Sequence, residues 1–160
     1  MRALAVTTGL VLLDQLAKWF VRGAFAHPGD GYPVVAGLFD LRYVRNTGAA
    51  WGMLAGRQLF LIAFSLVALV VLIGWYRRVL ERLPAGWLTL GLLCGGIVGN
   101  LIDRVWLGYV VDYLDFYWGA VHFPAFNVAD AAICTGVGLY ILTQWLADRR
   151  AERVAEHTPS

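Results

Sequence analysis

The sequence predicts an all-α membrane protein, a four-transmembrane-helix bundle with a small extracytoplasmic β segment and a short outer loop or helix. Two observations carry this prediction. Four apolar segments are long enough to cross a bilayer, and charge is sparse and confined. The chain of 160 residues is 59% hydrophobic and only 15% charged, whereas a soluble domain carries about 25% charged residues. The length suits one domain spanning 1–160, with no composition shift or linker to divide it. Seven tryptophans and seven tyrosines fit a chain with two membrane–water boundaries, where these side chains concentrate.

A membrane helix needs roughly 20 mostly apolar residues. The spans are expected at about 3–21, 58–76, 87–105 and 128–146. The second, Gln58 to Tyr76, contains no charge. The first could be mistaken for a signal peptide, because Ala24-Phe25-Ala26 has a small-x-small pattern. Asp14 and Lys18 interrupt its apolar stretch, which favours a retained helix. Arginines cluster on one side of this arrangement: Arg2, then Arg77, Arg78 and Arg82, then Arg149, Arg150 and Arg153. Positive residues favour the cytoplasm, so both termini are expected there. The opposite side holds Arg22, Arg42, Arg45, Arg57 and Arg104. Between Tyr32 and Val44, β-branched and aromatic residues predict one or two short strands.

Ionisable residues inside membrane helices are costly and usually have both a partner and a purpose. Asp14 and Lys18, at i and i+4, share a helix face and are expected to form a structural ion pair. Asn100, Asp103 and Arg104 share a face of the third helix, after Gly95, Gly96 and Gly99, whose small size admits a neighbouring helix. Asn127 is a good N-cap for the fourth helix, and Asp130 suits its first turn. Asp112 and Asp115 lie in the connection between helices three and four. With alternating helix directions, all these residues fall in one slab near the outer interface, as a shared polar cavity requires. A transport pathway would instead distribute polar groups through the full depth. A purely structural subunit would not need so many converging acids.

Several chemistries are excluded. The serines are Ser65, mid-helix, and Ser160, at the C-terminus; the one lysine is Lys18. A serine–lysine dyad or serine triad therefore has no basis. His27, His122 and His157 are isolated in sequence, and no H-E-x-x-H pattern exists. Cys94 and Cys134 sit in apolar runs, unlike a disulfide framework or a zinc site. A net charge of +2 gives no argument for nucleic acid. Carboxylates remain. Two held close together share a proton, so that one activates a water while the other protonates a carbonyl oxygen. Asp103, Asp112, Asp115 and Asp130 are the candidates, and residue logic alone does not choose the pair.

Asp14-Gln15-x-x-Lys18, Asn46-Thr47-Gly48-Ala49-Ala50-Trp51-Gly52, Gly95-Gly96-x-x-Gly99-Asn100-x-x-Asp103-Arg104, Val110-Val111-Asp112-Tyr113-Leu114-Asp115-Phe116 and Phe123-Pro124-Ala125-Phe126-Asn127-x-Ala129-Asp130 together resemble the lipoprotein signal peptidases (signal peptidase II). The resemblance covers nearly the whole chain, in order and at matching spacing. It implies an inner-membrane aspartic endopeptidase that works as a monomer, with no cofactor and no metal. Such an enzyme removes signal peptides from diacylglyceryl-modified prolipoproteins, cutting before the lipid-modified cysteine. The implied catalytic dyad is Asp112 and Asp130. Asn46, Gly48, Asn100, Asp103, Arg104, Asn127 and Ala129 would surround it, and Asp14 and Lys18 would support it. Asp103 is the rival for Asp112, but its neighbour Arg104 is expected to keep it ionised, with Arg104 and Asn127 holding the dyad's geometry.

Overall fold

A computed structural model describes residues 1–49, 53–76 and 78–156, without the side chains of residues 82, 151, 152 and 154–156. Ala50, Trp51 and Gly52 of the Asn46 motif lie outside the described residues, as do Arg77, His157 and Ser160. Four long helices form: α1 (Arg2–Ala24), α2 (Gln58–Tyr76), α3 (Gly86–Leu107) and α4 (Val128–Glu156). The second matches its expected bounds. The other three outrun theirs, because helical hydrogen bonding continues past the apolar stretch into polar flanks such as Asp148–Arg150. α3 stops where Gly108 adopts a left-handed conformation (φ 78°), its N–H reaching the Arg104 carbonyl.

α1, α2 and α3 are each long and apolar enough to cross a membrane. α2 in particular leaves Phe60, Phe64, Val67, Val70, Val71 and Ile73 exposed. In water that face would be an aggregation site, whereas lipid is its natural solvent.

α1 packs on α3 through small residues. A Cβ added to Gly91 would stand 2.7 Å from Val6 Cβ, one on Gly95 2.6 Å from Leu10 Cδ2, and one on Gly99 2.6 Å from Asp14 Oδ2. Gly96 does the same for α4, where an added Cβ would collide with the Ala129 carbonyl oxygen. Three α1 positions about one turn apart, Val6, Leu10 and Asp14, therefore nest against three glycines with the same spacing.

The connections from α1 to α2 and from α3 to α4 are more ordered than the sequence suggested. Where a short loop or helix was expected between helices three and four, the chain forms a hairpin. Its strands, β3 (Val110–Trp118) and β4 (Val121–His122), join β1 (Gly31–Val35) and β2 (Phe39–Asn46) in an antiparallel sheet of order β1-β2-β3-β4. The physical reason is side-chain alternation along β3. Its first residues divide between a face that packs on the helix ends and a face that carries Asp112. Val111 and Tyr113 join Val21 of α1 and Tyr43 of β2 in a buried apolar cluster.

Candidate active site

A change of register between Leu41 and Val44 places one extra residue in β2 against β3, a bulge that re-aims the side chains beyond it. Asn46 then stands opposite Val110. Asp112, two residues further along β3, becomes its diagonal neighbour on the same face. Asn46 Nδ2 donates to Asp112 Oδ2 at 2.9 Å.

After β4 the chain returns along β3. The Phe126 carbonyl accepts from the N–H groups of Tyr113 and Leu114, and the Phe126 N–H donates to the Leu114 carbonyl. This return delivers Asn127 beside Asp112. Asn127 Nδ2 donates to Asp112 Oδ1 at 2.7 Å, and the side chain is fully buried. Asn127 and Asp130 also cap α4 reciprocally: the Asp130 N–H donates to Asn127 Oδ1 (2.9 Å), and the Asn127 N–H to Asp130 Oδ2 (3.2 Å). This is the capping-box exchange, which satisfies two backbone donors at a helix start. The cap and the Asp112–Asn127–Asp130 contacts share atoms, so a capping role for Asn127 and Asp130 does not compete with a functional one.

A third amide completes the frame. Asn100 Nδ2 donates to Asp130 Oδ1 at 2.7 Å. In each amide the carbonyl oxygen is occupied by another donor: Lys18 Nζ on Asn100 (2.9 Å), the Asp130 N–H on Asn127, and the Gly48 N–H on Asn46 (2.9 Å). Each amide is thereby oriented, with its NH2 group facing a carboxylate. Asp112 is 2% exposed. Burial and the neighbouring Asp130 charge push its carboxyl up to about 7, against the two amide hydrogen bonds. Asp130 is only half-buried, which leaves the site an approach from that side.

Asp14 and Lys18 form the expected i, i+4 ion pair, 2.8 Å apart, and both are buried. The pair has wider reach than the sequence indicated. Lys18 Nζ also meets Asp103 Oδ2 at 3.0 Å. Asp14 Oδ1 accepts the Ala129 N–H (3.0 Å), and Asp103 Oδ2 the Val111 N–H (3.0 Å). One buried cation therefore ties α1, α3, the start of β3 and the start of α4 together. Ala129, fully buried, is where α4 rests on that pin.

Among the described residues Arg104 forms no ion pair with Asp103, which Lys18 meets instead, and no hydrogen bond with Asp112 or Asp130: Nη2 donates to the Gly48 carbonyl (3.3 Å) and Nη1 to the Asn100 carbonyl (3.5 Å). A long side chain at the end of α3 reaches the β2–α2 connection, where the Gly48 carbonyl accepts from it. Arg104 thus braces Gly48, while Asn46, Asn100 and Asn127 hold the carboxylates. Asp115 is also set apart: it is buried beside His122 (Nδ1 to Oδ1, 3.0 Å) and Arg42 (3.6 Å) within the sheet. His122, isolated in sequence, therefore has a partner. Gln15 escaped the sequence reading as a site residue. Its Nε2 donates to Asp103 Oδ1 (3.0 Å) and to the Gly99 carbonyl (3.1 Å). Its position beside Asp14 was the available signal.

A sequence profile described as Signal peptidase (SPase) II matches residues 6–146. The lipoprotein signal peptidase of Syntrophotalea carbinolica is 47% identical over 146 residues, covering 89% of each chain. That of Symbiobacterium thermophilum is 42% identical, covering 88% of this chain and 91% of its own. Two solved structures, each described as a bacterial membrane enzyme, share the fold. One has a TM-score of 0.78 at 27% identity, covering 99% of this chain and 92% of the other; the second has 0.72 at 31%, covering 88% and 90%. Seams of glycine, a buried Lys18 pin and a profile match across nearly the whole chain lead to one assignment: the chain belongs to the signal peptidase II family, the membrane-embedded peptidases that cleave signal peptides from prolipoproteins.

Proposed function

We propose that this chain is an aspartic endopeptidase in which Asp112 and Asp130 activate the attacking water. The observation that carries this reading is the pair of carboxylates framed by three oriented amides. With its carboxyl pushed up to about 7, Asp112 holds a proton in a large share of molecules near neutral pH, which makes Asp112 the acid and Asp130 the base in this reading. Asp130 takes a proton from water as the water oxygen attacks the scissile carbonyl carbon. Asp112 gives its proton to the carbonyl oxygen, forming a neutral gem-diol. On collapse the C–N bond breaks, the nitrogen leaves with the proton held by Asp130, and Asp112 recovers its own from a diol hydroxyl. The dyad ends as it began. No charged nucleophile forms, which suits a site whose walls disfavour charge.

The substrate in this reading is a diacylglyceryl-modified prolipoprotein, cut before the modified cysteine. Acyl chains resting in the bilayer would set the height of the scissile bond and so contribute to positioning. α4 is the fourth membrane span, entering at Asp130. Both termini face the cytoplasm, with the dyad near the outer leaflet of the inner membrane, and the enzyme acts as a monomer. The clustered arginines at Arg78 and Arg149–Arg150 support this orientation. The test is incubation of purified protein in detergent with modified and unmodified precursor, read as a gel shift. Cleavage of the modified form alone is expected. Equal rates on both forms would remove the lipid from recognition, and undiminished cleavage by Asp112→Asn would remove the dyad.

A further inference from the structure

Arg45 sits on the face of β2 opposite Asn46, so it belongs to neither the dyad nor its frame. Its guanidinium carbon lies 4.9 Å from the centre of the Tyr109 ring and 5.5 Å from that of Tyr43. Its Nε donates to the Tyr43 hydroxyl at 3.0 Å, and that hydroxyl lies 3.1 Å from the Tyr109 hydroxyl. Tyr43 is itself anchored, 3% exposed in the cluster with Val21 and Val111. The arginine is therefore held by two rings and a hydrogen bond, yet it is exposed. Its Nη1 and Nη2 groups make no hydrogen bond among the described residues.

A second cation lies nearby in the fold. Arg22, in the last turn of α1 and exposed, directly follows Val21, which packs in the cluster that holds Tyr43. Neither Arg22 nor Arg45 forms an ion pair among the described residues. Arg42 differs, being engaged by Asp115 and the Gly29 carbonyl. The depth of the site is marked by aromatic residues. Trp19 and Phe20 on α1 and Trp106 on α3 are 72%, 67% and 84% exposed at the same helix ends. Exposed tryptophan at the end of a membrane helix marks the headgroup level.

We propose that Arg22 and Arg45 form a binding site for the phosphodiester of an anionic phospholipid headgroup. Two unpaired guanidinium groups, one with its orientation fixed in advance, match a phosphate's bidentate geometry. The flanking aromatic residues give the acyl chains an apolar surface below it. A free phosphodiester offers the same headgroup chemistry without the chains, and the experiment separates the two.

The purified, delipidated full chain is mixed in detergent with phosphatidylglycerol, phosphatidylcholine or soluble glycerophosphoglycerol. Bound lipid is counted by native mass spectrometry, and melting temperature is followed in parallel. Phosphatidylglycerol should be retained over phosphatidylcholine and should raise the melting temperature. Arg22→Gln with Arg45→Gln should weaken retention roughly tenfold or more, taking about 1 kcal/mol for each arginine near a lipid surface. Arg57→Gln, an exposed arginine elsewhere on the same side, should change little. Tyr43→Phe, which keeps the ring but removes the anchor on Nε, should fall between. If the double variant melts like the wild type without lipid yet still retains phosphatidylglycerol equally, the site is wrong. Equal retention of the two lipids would also overturn it. A shift produced equally by soluble glycerophosphoglycerol would make the ligand a free phosphodiester and overturn the lipid assignment.

Discussion

Lys18 reaches the dyad without touching it: its Nζ donates to Asn100 Oδ1 at 2.9 Å, and Asn100 Nδ2 donates onward to Asp130 Oδ1 at 2.7 Å. The cation decides which end of the Asn100 amide faces the carboxylate. With a carbonyl oxygen turned toward Asp130, two acceptors would oppose each other in a buried site, an arrangement that forfeits a hydrogen bond and adds repulsion. A residue read as structural from its spacing with Asp14 therefore also orients a group at the site.

Lys18→Met tests the pin. It leaves Asp14 and Asp103 buried without their cation, a loss of roughly 3–5 kcal/mol for a broken buried pair. The yield of folded protein in membranes should drop sharply. The triple Lys18→Met, Asp14→Asn, Asp103→Asn removes the stranded charges and should recover much of that yield without recovering cleavage. Normal accumulation and melting of Lys18→Met alone would refute the pin.

Gly99 offers a steric probe of the same seam. A Cβ there would lie 2.6 Å from Asp14 Oδ2 and 3.3 Å from Ala129 Cβ, so Gly99→Ala must push α1 and α4 away from α3. Overpacking of this kind costs about 1–3 kcal/mol. Gly138→Ala meets nothing within 4 Å and should be neutral or slightly stabilising. Melting temperatures of the two variants measured side by side check the contrast, and equal values would mean that the seam yields more easily than its distances imply.

What was legible in the sequence follows from how local each cause is. The Asp14–Lys18 pair is fixed by helical spacing, and the Asn127–Asp130 cap by three residues of separation. Both are visible in a linear reading. The Asn46–Asp112 contact depends on the pairing of β2 with β3 and on a one-residue bulge between them, neither of which leaves a local trace. Adjacency of Arg104 to Asp103 suggests contact, whereas its long side chain reaches the Gly48 carbonyl instead. Gln15 leaves a fainter signal, because a neutral amide costs less in a membrane helix than a charge does. β3 leaves only a weak local trace, because Asp112 and Asp115 interrupt its apolar residues. Both acids are nevertheless buried there, each with partners that only the fold supplies.

The titration of Asp112 makes a prediction about stability. In the unfolded chain an aspartate ionises near ~3.9, whereas in the folded protein this carboxyl is pushed up to about 7. Between those values the folded state holds a proton that the unfolded state has released. Stability must therefore fall as pH rises through this window and level off above it. At about 1.4 kcal/mol for each pH unit, the contribution is on the order of 4 kcal/mol. Asp112→Asn carries no such proton. Its melting temperature should decline less between pH 5 and pH 7.5, taken as roughly the span of that window, and should exceed the wild type at the upper end. An unchanged slope in the variant would place the titrating proton elsewhere.

The assignment of the dyad yields the most demanding prediction. Asp112 and Asp130 act on one water and one carbonyl, so losing either should stop the reaction, and losing both should be no worse. General acid–base groups contribute about 10²–10⁴-fold, so Asp112→Asn and Asp130→Asn should each lower cleavage by at least that range. Both should still fold, because an asparagine keeps the shape and one oxygen of the carboxylate. At Asp112 that oxygen can still accept from Asn46 or Asn127. At Asp130 it can accept from the Asn127 N–H and preserve the helix cap. Asp103→Asn differs in kind. Its oxygens accept from Lys18, Gln15 and the Val111 N–H, so the variant should weaken the pin and lower the melting temperature while leaving measurable turnover. Asp115→Asn loosens only the contacts with His122 and Arg42 and should be milder still. The deciding measurement is single-turnover cleavage of modified precursor, normalised to folded protein. A dead, normally melting Asp103→Asn alongside an active Asp112→Asn would move the acid from β3 to α3, where it would have to work while bound to the Lys18 ammonium.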